Sequence, residues 1–147
     1  MTNLYFERDC NLERIRALLE IANQYFNPPI SERVNLDHYS EKLANNAINI
    51  FCIDKNKDIG HAAVYANNYK ENRAFLTSLF VDPVYYRHGI ATKLLSELTT
   101  DCKKSQMSEI QLNVKKTNKK AISLYSKSGF LIAEVFDDEL RMTKSLI

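Results

Sequence analysis

Apolar residues recur at two different spacings in the first half of the chain. Over Cys10–Phe26 they return every three or four residues, as on one face of an amphipathic helix. Leu4–Arg8 and Ile48–Ile53 are instead short stretches with the composition and length of strands, and Ile59–Ala66 is another. The polar segment Asp54–Asp58 joins the last two stretches, so the pattern predicts a β-hairpin there.

Three connecting segments divide these elements. The segment Asn27-Pro28-Pro29 ends the first helix, because proline cannot continue a helix. Ser31–Asn46 is polar and ambiguous, and its pattern favours a second short helix. Asn67–Arg73 is a polar loop of the kind that separates two strands.

The second half of the chain alternates strands with helices. Phe75–Val81 is a predicted strand, apolar residues at helical spacing then run from Ile90 to about Lys104, and Glu109–Lys115 alternates apolar and polar residues as a strand does. A strand–helix–strand crossover of this length connects parallel strands. The sequence therefore predicts a mixed sheet in an α/β fold.

The end of the chain predicts a short helix and a last hairpin. The helix contains Tyr125 and ends at Gly129, a natural left-handed position. Phe130–Val135 and Leu140–Lys144 form the hairpin. Because 147 residues suit one domain, we expect a single domain over residues 1–147.

Composition excludes several classes of protein. A hydrophobic content of 45% suits one buried core, and no apolar run approaches the ~18 residues of a membrane-spanning helix. The first nine residues lack the basic and apolar regions of a secretory signal. Cys10, Cys52 and Cys102 are far apart and form no CxxC, which argues against disulfides and a zinc site. We expect a cytoplasmic domain with no metal and no membrane partner.

The charge is unevenly distributed along the chain. The net charge is +2, but residues 87–127 carry +6 and the rest of the chain carries −4. A basic segment of this kind could attract a phosphate-bearing ligand, although its lysines could also be ordinary solvated helix faces. There is no run of five or six like charges and no interleaved set of aromatics, so we expect no nucleic-acid partner.

The turn before the long helix is the most informative segment. The start of a helix exposes free N–H groups and the positive end of its dipole, and both favour an anion. Gly89 lets the backbone approach that anion, and Arg87 can add a charge-assisted hydrogen bond. The alternative is a plain strand-to-helix turn in which Gly89 only suits the geometry. The segment contains neither the P-loop nor the dinucleotide-binding pattern of glycines.

Residues 81–95 carry a motif that we recognise. The pattern Val-Asp-Pro-x-x-x-Arg-x-Gly-Ile-Ala-x-x-Leu-Leu resembles the acetyl-CoA-binding motif of the GNAT superfamily of N-acetyltransferases. Residues 118–130 are similar to the family's Asn…Ala…Leu-Tyr…Gly-Phe segment. The resemblance implies a GNAT-like acyl-CoA N-acyltransferase fold: a mostly antiparallel sheet with one splayed parallel pair of strands, flanked by helices. It also implies acetyl-CoA as the cosubstrate.

The resemblance further implies which residues contact acetyl-CoA. The amides of the turn are expected to bind the diphosphate. The exposed backbone between the splayed strands is expected to pair with the pantetheine arm, and one side chain is expected to donate a hydrogen bond to that arm or accept one from it. The implied residues are Leu79, Phe80, Val81, Arg87, His88, Gly89, Ile90, Ala91, Thr92 and Asn118. Asn118 could also be the N-cap of the short helix, and both roles can hold at once.

By the same resemblance, Tyr125 is the general acid that protonates the departing thiolate. A phenol with a pKa near ~10 stays protonated at neutral pH and can donate to a thiolate of similar basicity. The alternative is a tyrosine that only packs in the core. The chain departs from the family pattern at Tyr86, where the family often has Arg or Gln, and at Ala91, where it has a second glycine.

The general base is the least defined part of the expected site. Some protein-acetylating members of the family have Glu at the position of Asn113, and this chain has no carboxylate there. His61 is the first candidate, because imidazole titrates near ~6.5, and His38 and Glu41 are further candidates. A water chain could also accept the proton, or the amine could arrive already neutral.

The expected reaction is direct transfer of an acetyl group to a primary amine within a ternary complex. The absence of Glu at position 113 and a short final turn favour a small-molecule acceptor, and Asp137, Asp138 and Glu139 could attract a cationic amine. A non-catalytic acetyl-CoA-binding or sensor domain and a protein or peptide acetyltransferase remain alternatives. The resemblance also makes a homodimer through the exposed sheet edge a candidate assembly.

Overall fold

The computed structural model describes residues 3–147, which contain one seven-stranded sheet and four α-helices. Met1 and Thr2, which the predicted domain includes, lie outside the described residues. The strands are β1 (Leu4–Arg8), β2 (Ile48–Asp54), β3 (Lys57–Asn68), β4 (Arg73–Val81), β5 (Glu109–Lys115), β6 (Leu131–Val135) and β7 (Glu139–Ser145). The helices are α1 (Leu12–Asn23), α2 (Leu36–Asn46), α3 (Ile90–Lys104) and α4 (Lys119–Lys127), with short 3-10 helices at Ile30–Glu32 and Pro83–Tyr85.

One parallel pair interrupts an otherwise antiparallel sheet. The strand order is β1-β2-β3-β4-β5-β7-β6, and β4 with β5 is the one parallel pair in the described part of the chain. Their pairing runs from Arg73 opposite Glu109 to Phe75 opposite Gln111, and no further pair joins them within residues 3–147. A wedge therefore opens between residues 76–81 and residues 112–115. This arrangement confirms the predicted mixed sheet with a splayed parallel pair.

Apolar side chains form a core on each face of the sheet. Successive residues of β3 point to opposite faces, so Ala62 packs with α3 while Ala63 packs with α1 and α2. The first core is closed by Leu94 and Leu98 of α3, and α4 packs on its edge. Within residues 3–147, the structure shows no helix that is both long enough and apolar enough to cross a membrane.

Side-chain hydrogen bonds determine where the first two helices begin and end, and these ends differ from the predicted ones. The side chain of Asn11 accepts a 2.9 Å hydrogen bond from the N–H of Arg14, so α1 begins after Asn11. It ends at Asn23, whose side chain accepts a 2.9 Å hydrogen bond from the N–H of Ser31. In the ambiguous segment, Asn35 caps α2 in the same way.

The first hairpin is tighter than predicted. Asp54 pairs with Lys57, so Asp54 belongs to β2 and the turn contains only Lys55 and Asn56. Both turn residues have positive φ, 51° and 66°, which is typical of the two-residue turns that match the twist of a hairpin. The side chain of Asp54 is consequently buried rather than exposed in a loop.

Candidate active site

Two adjoining cavities follow from the splaying of β4 and β5. The first, about 190 Å³, lies between Thr77 and Asn113 and is called the wedge cavity below. The second, about 350 Å³, lies in front of the start of α3 beside Gly89 and is called the turn cavity. Residues that line both are Phe26, Leu79, Asn118, Ala121 and Tyr125. The two cavities thus meet at one junction.

The turn before α3 presents a row of free donors to the turn cavity. In the described part of the chain, the backbone N–H groups of residues 87–92 donate to no protein acceptor. Six consecutive free N–H groups at the positive end of a 15-residue helix are donors of the kind that suits an anion. Arg87 is also one of the residues that line this cavity.

Two residues of this turn have left-handed backbone conformations. Arg87 has φ of +71° and Gly89 has φ of +72°. A Cβ added at Gly89 would meet no protein atom within 4 Å, so among the protein's own residues it is the positive φ, and no close contact, that calls for glycine. Arg87 has a Cβ and therefore holds a strained conformation.

A contact from a distant strand anchors the turn. The Oη of Tyr85 donates a 2.5 Å hydrogen bond to Oδ2 of Asp54, which is 3% exposed. This carboxylate contact raises the pKa of Tyr85. The other oxygen of Asp54 is buried and has no partner within residues 3–147. The sequence pattern gives no sign of this contact, because it predicts a polar turn at Asp54.

Tyr125 lies at the junction of the two cavities. Its ring packs edge-on against Phe130, with 5.7 Å between ring centroids. Burial raises the pKa of Tyr125 to about 12, so the phenol is protonated at neutral pH. Asn118 begins the same helix, and its side chain accepts a 3.2 Å hydrogen bond from the N–H of Ala121. Asn118 is therefore the N-cap of α4 as well as a residue of both cavities.

The three expected contact residues of β4 differ in orientation. Leu79 lines both cavities and Val81 lines the turn cavity. The side chain of Phe80 points to the opposite face, where it is 5% exposed in the core beneath α1 and α2. Phe80 can therefore meet a ligand in the wedge only through its backbone.

The structure does not bring His61 to this site. Its side chain is 1% exposed and faces the α1 and α2 core, where its ring packs on Phe51 and its Nε2 is 2.9 Å from Oδ1 of Asn49. Burial lowers the pKa of His61 to about 4. His61 lines neither cavity, and this location argues against the expected role of His61 as the general base. His38 and Glu41 line neither cavity.

Three charged side chains line the wedge cavity: Arg33, Lys115 and Glu139. The Nζ of Lys115 is 2.7 Å from Oδ2 of Asp138, so this lysine is already neutralised by a neighbour. Glu139 is opposite Lys115 in the β5–β7 pairing and, among the described residues 3–147, is the one carboxylate residue that lines the cavity. From the sequence, Glu139 is expected only to attract a cationic amine. No sequence signal marks it as a cavity residue, because its place depends on the pairing of β7.

The cysteines lie away from both cavities. Cys52 and Cys102 are buried, and burial raises their pKa values to about 11 and about 12. Cys10 is exposed, and none of the three lines either cavity. No group of three or more His, Cys, Asp or Glu side chains suited to a metal ion occurs within residues 3–147.

Comparisons with known proteins point to one family. Residues 15–130 match the sequence model of the acetyltransferase (GNAT) family. An uncharacterized N-acetyltransferase of Methanocaldococcus jannaschii is 32% identical over 99 residues, which cover 65% of this chain and 44% of that protein. The chain thus matches less than half the length of this curated relative.

Solved structures are similar in fold over nearly the whole chain. PaiA N-acetyltransferase from Thermoplasma acidophilum, in complex with coenzyme A, has a TM-score of 0.79 at 21% identity, covering 97% of this chain and 99% of that chain. The ribosomal-protein-S18-alanine N-acetyltransferase from Escherichia coli has a TM-score of 0.75 at 21% identity, covering 99% and 94%. At these identities the likeness is one of fold.

Proposed function

This chain belongs to the acetyltransferase (GNAT) family, and we propose that it transfers the acetyl group of acetyl-CoA to a primary amine on a small molecule. The observation that carries the proposal is the row of six free N–H groups at residues 87–92, on a cavity that leads between the splayed strands. A diphosphate is the kind of anion that such a row binds. PaiA N-acetyltransferase, which shares the fold, was solved with coenzyme A.

The residues present suit acetyl-CoA along its length. The amides of residues 87–92 and the guanidinium of Arg87 would hold the diphosphate. The edge of β4 at residues 79–81 faces the wedge, where β5 has diverged, and would pair with the amides of the pantetheine arm. Asn118, at the junction, would contact that arm. The thioester would then lie beside Tyr125.

Tyr125 is the proposed general acid. Bound acetyl-CoA supplies an acetyl group activated as a thioester: the amine nitrogen bonds to the acetyl carbon as the carbon–sulfur bond breaks. Tyr125 holds a proton on its Oη at the junction and gives it to the departing sulfur. The burial that raises the pKa of Tyr125 to about 12 also makes a buried thiolate more basic, so donor and acceptor remain matched.

Glu139 replaces His61 as the proposed base. Its carboxylate lines the wedge cavity together with Tyr125 and would take the proton of the amine, directly or through one water. An amine that binds as an ammonium loses two protons: Glu139 takes one before attack, and the second leaves as the amide forms. The sulfur gains one proton from Tyr125, Tyr125 is reprotonated by one of the two that the amine lost, and the other is released to solvent. Holding both reactants in adjoining cavities supplies the proximity that the reaction needs.

The size of the wedge cavity supports a small acceptor. About 190 Å³ is less than the ~300–1,000 Å³ typical of pockets for drug-sized ligands. A protein or peptide acceptor is the main alternative, since the E. coli structure of similar fold is named as a ribosomal-protein-S18-alanine N-acetyltransferase. A sensor domain that binds acetyl-CoA without turnover is the other.

Release of free coenzyme A tests the proposal. The purified protein is incubated with acetyl-CoA and, separately, with small amines, amino sugars and peptides, and the free thiol and the acetylated product are both measured. We expect amine-dependent thiol release for small amines. Acetyl-CoA binding with no release for any amine would establish the sensor alternative, and release for peptides alone would establish the protein acetyltransferase.

Location and assembly are also proposals. Three free cysteines support a cytoplasmic location. The edge strand β6 is exposed along its whole length, with Leu131, Ile132 and Val135 each more than half exposed, which supports a homodimer through this edge. Sedimentation of the wild type and of Ile132→Lys would test the dimer.

A further inference from the structure

We infer that the acceptor carries a carboxylate next to its reacting amine, and that Arg33 binds this carboxylate in the wedge cavity. The inference rests on the proposed acetyl transfer and names the class of its acceptor: amino acids and close analogues.

Arg33 stands apart from most arginines of the chain. Five of the seven arginines have a carboxylate within 4.0 Å: Arg8, Arg14, Arg16, Arg73 and Arg141. Within residues 3–147, Arg33 and Arg87 have no such partner, and these two line the wedge cavity and the turn cavity. The turn cavity is the proposed diphosphate site, so Arg87 has an anion to bind. By the same reasoning, Arg33 in the wedge cavity would bind an anionic group of the acceptor.

Arg33 is exposed to solvent and lines the wedge cavity. It follows the 3-10 helix Ile30–Glu32, and its charge acts on Tyr39 of α2 and on Lys115 of β5, two other residues of the cavity wall. Burial raises the pKa of Tyr39, and the charge of Arg33 acts in the opposite direction. Because Asp138 neutralises Lys115, Arg33 is, within residues 3–147, the cation of this wall without a carboxylate partner.

The cavity also provides the opposite charge. Glu139 lines it and has no basic side chain within 4.0 Å in the described part of the chain. A zwitterionic acceptor can present its ammonium to Glu139 and its carboxylate to the planar fork of Arg33. An acceptor with an amine alone would leave Arg33 without a partner, and a purely anionic acceptor would leave Glu139 without one.

Matched acceptors test this charge pairing. Phenylalanine is compared with phenylalanine amide and phenethylamine, and lysine with lysine amide and cadaverine, with kcat/KM measured from release of coenzyme A. For the wild type we expect kcat/KM for each amino acid to exceed that for its amide by at least about tenfold. Arg33→Gln should bring this ratio close to one, and Arg33→Lys should give an intermediate ratio.

A control variant and two different negative results make the test decisive. Lys70→Gln removes a positive charge from a loop outside both cavities and should keep the wild-type ratio. Thermal unfolding verifies that Arg33→Gln is folded. Release of coenzyme A with a wild-type ratio near one, or a ratio that Arg33→Gln leaves unchanged, overturns the inference and leaves acetyl transfer standing. If no amine causes release of coenzyme A, both the amino-acid acceptor and the proposed acetyl transfer are wrong.

Discussion

The hydrogen bond of 2.5 Å from the phenol of Tyr85 to the carboxylate of Asp54 joins the turn before α3 to the end of β2. The two residues are 31 positions apart in the sequence. Tyr85 lies two residues before the segment 87–92, whose N–H groups are free beside the turn cavity. The direction of those groups therefore depends on a contact with another strand.

Removing this hydrogen bond should weaken coenzyme A binding. Tyr85→Phe leaves both oxygens of the buried Asp54 carboxylate without a partner, which loosens the turn. We expect roughly fivefold weaker binding, about 1 kcal/mol by calorimetry, and a lower melting temperature. Tyr69→Phe, at a tyrosine that is 64% exposed, is the control and should change neither. Wild-type affinity in Tyr85→Phe would show that the turn holds its shape without Asp54.

Two substitutions at Arg87 should separate backbone strain from charge. Arg87→Ala keeps a Cβ at φ of +71°, whereas Arg87→Gly removes it. We expect the glycine variant to be about 1 kcal/mol more stable than the alanine variant in urea unfolding. Both should bind coenzyme A more weakly, with a smaller dependence on salt than the wild type. Equal stability of the two variants would contradict the strain.

Loss of the Tyr125 hydroxyl should lower turnover and spare binding. For Tyr125→Phe we expect kcat to fall about 10²- to 10³-fold, with an affinity for coenzyme A within about twofold of the wild type. Because burial raises the pKa of Tyr125 to about 12, ionisation of this phenol should not reduce wild-type activity below about pH 10. Stopped assays across pH and calorimetry provide both values. Unchanged kcat in Tyr125→Phe would reject the acid role.

Glu139→Gln should remove the proposed base. We expect kcat at pH 7 to fall about 10²-fold and to recover partly at high pH, where more of the amine is neutral. Asp137→Asn, an exposed neighbour outside the cavity, is the control and should behave as the wild type. If Glu139→Gln retains the wild-type rate at pH 7, the proton leaves by another route.

His61 should affect the pH dependence of stability and not that of catalysis. Its pKa is about 4 in the folded protein and near ~6.5 when unfolded, so between these values only the unfolded chain binds the proton. The free energy of unfolding should therefore fall as the pH is lowered from about 6.5 to 4, by on the order of 3 kcal/mol from this group. Urea unfolding of His61→Gln should show a shallower fall over this window. An equal fall in both proteins would contradict the buried neutral imidazole.

The elements themselves were largely predictable because their signals are local. Strand and helix periodicities lie within ten to twenty residues, and so does the strand–helix–strand order that implies a parallel pair. The predicted first helix was too long at both ends because capping by Asn11 and the tie from Asn23 to Ser31 depend on side-chain contacts. The hairpin at Lys55 and Asn56 was tighter than predicted for a similar reason: left-handed residues shortened the turn.

The sequence alone determined the row of free N–H groups before α3, because residues 87–92 are contiguous and a helix start exposes its N–H groups wherever it lies in a fold. It could not place His61 or Glu139. His61 is on a strand whose alternation turns it into a core, whereas Glu139 enters the wedge through the pairing of β7 with β5. Arg33 and Glu139 are more than one hundred residues apart, and they line one cavity only because β4 and β5 splay there.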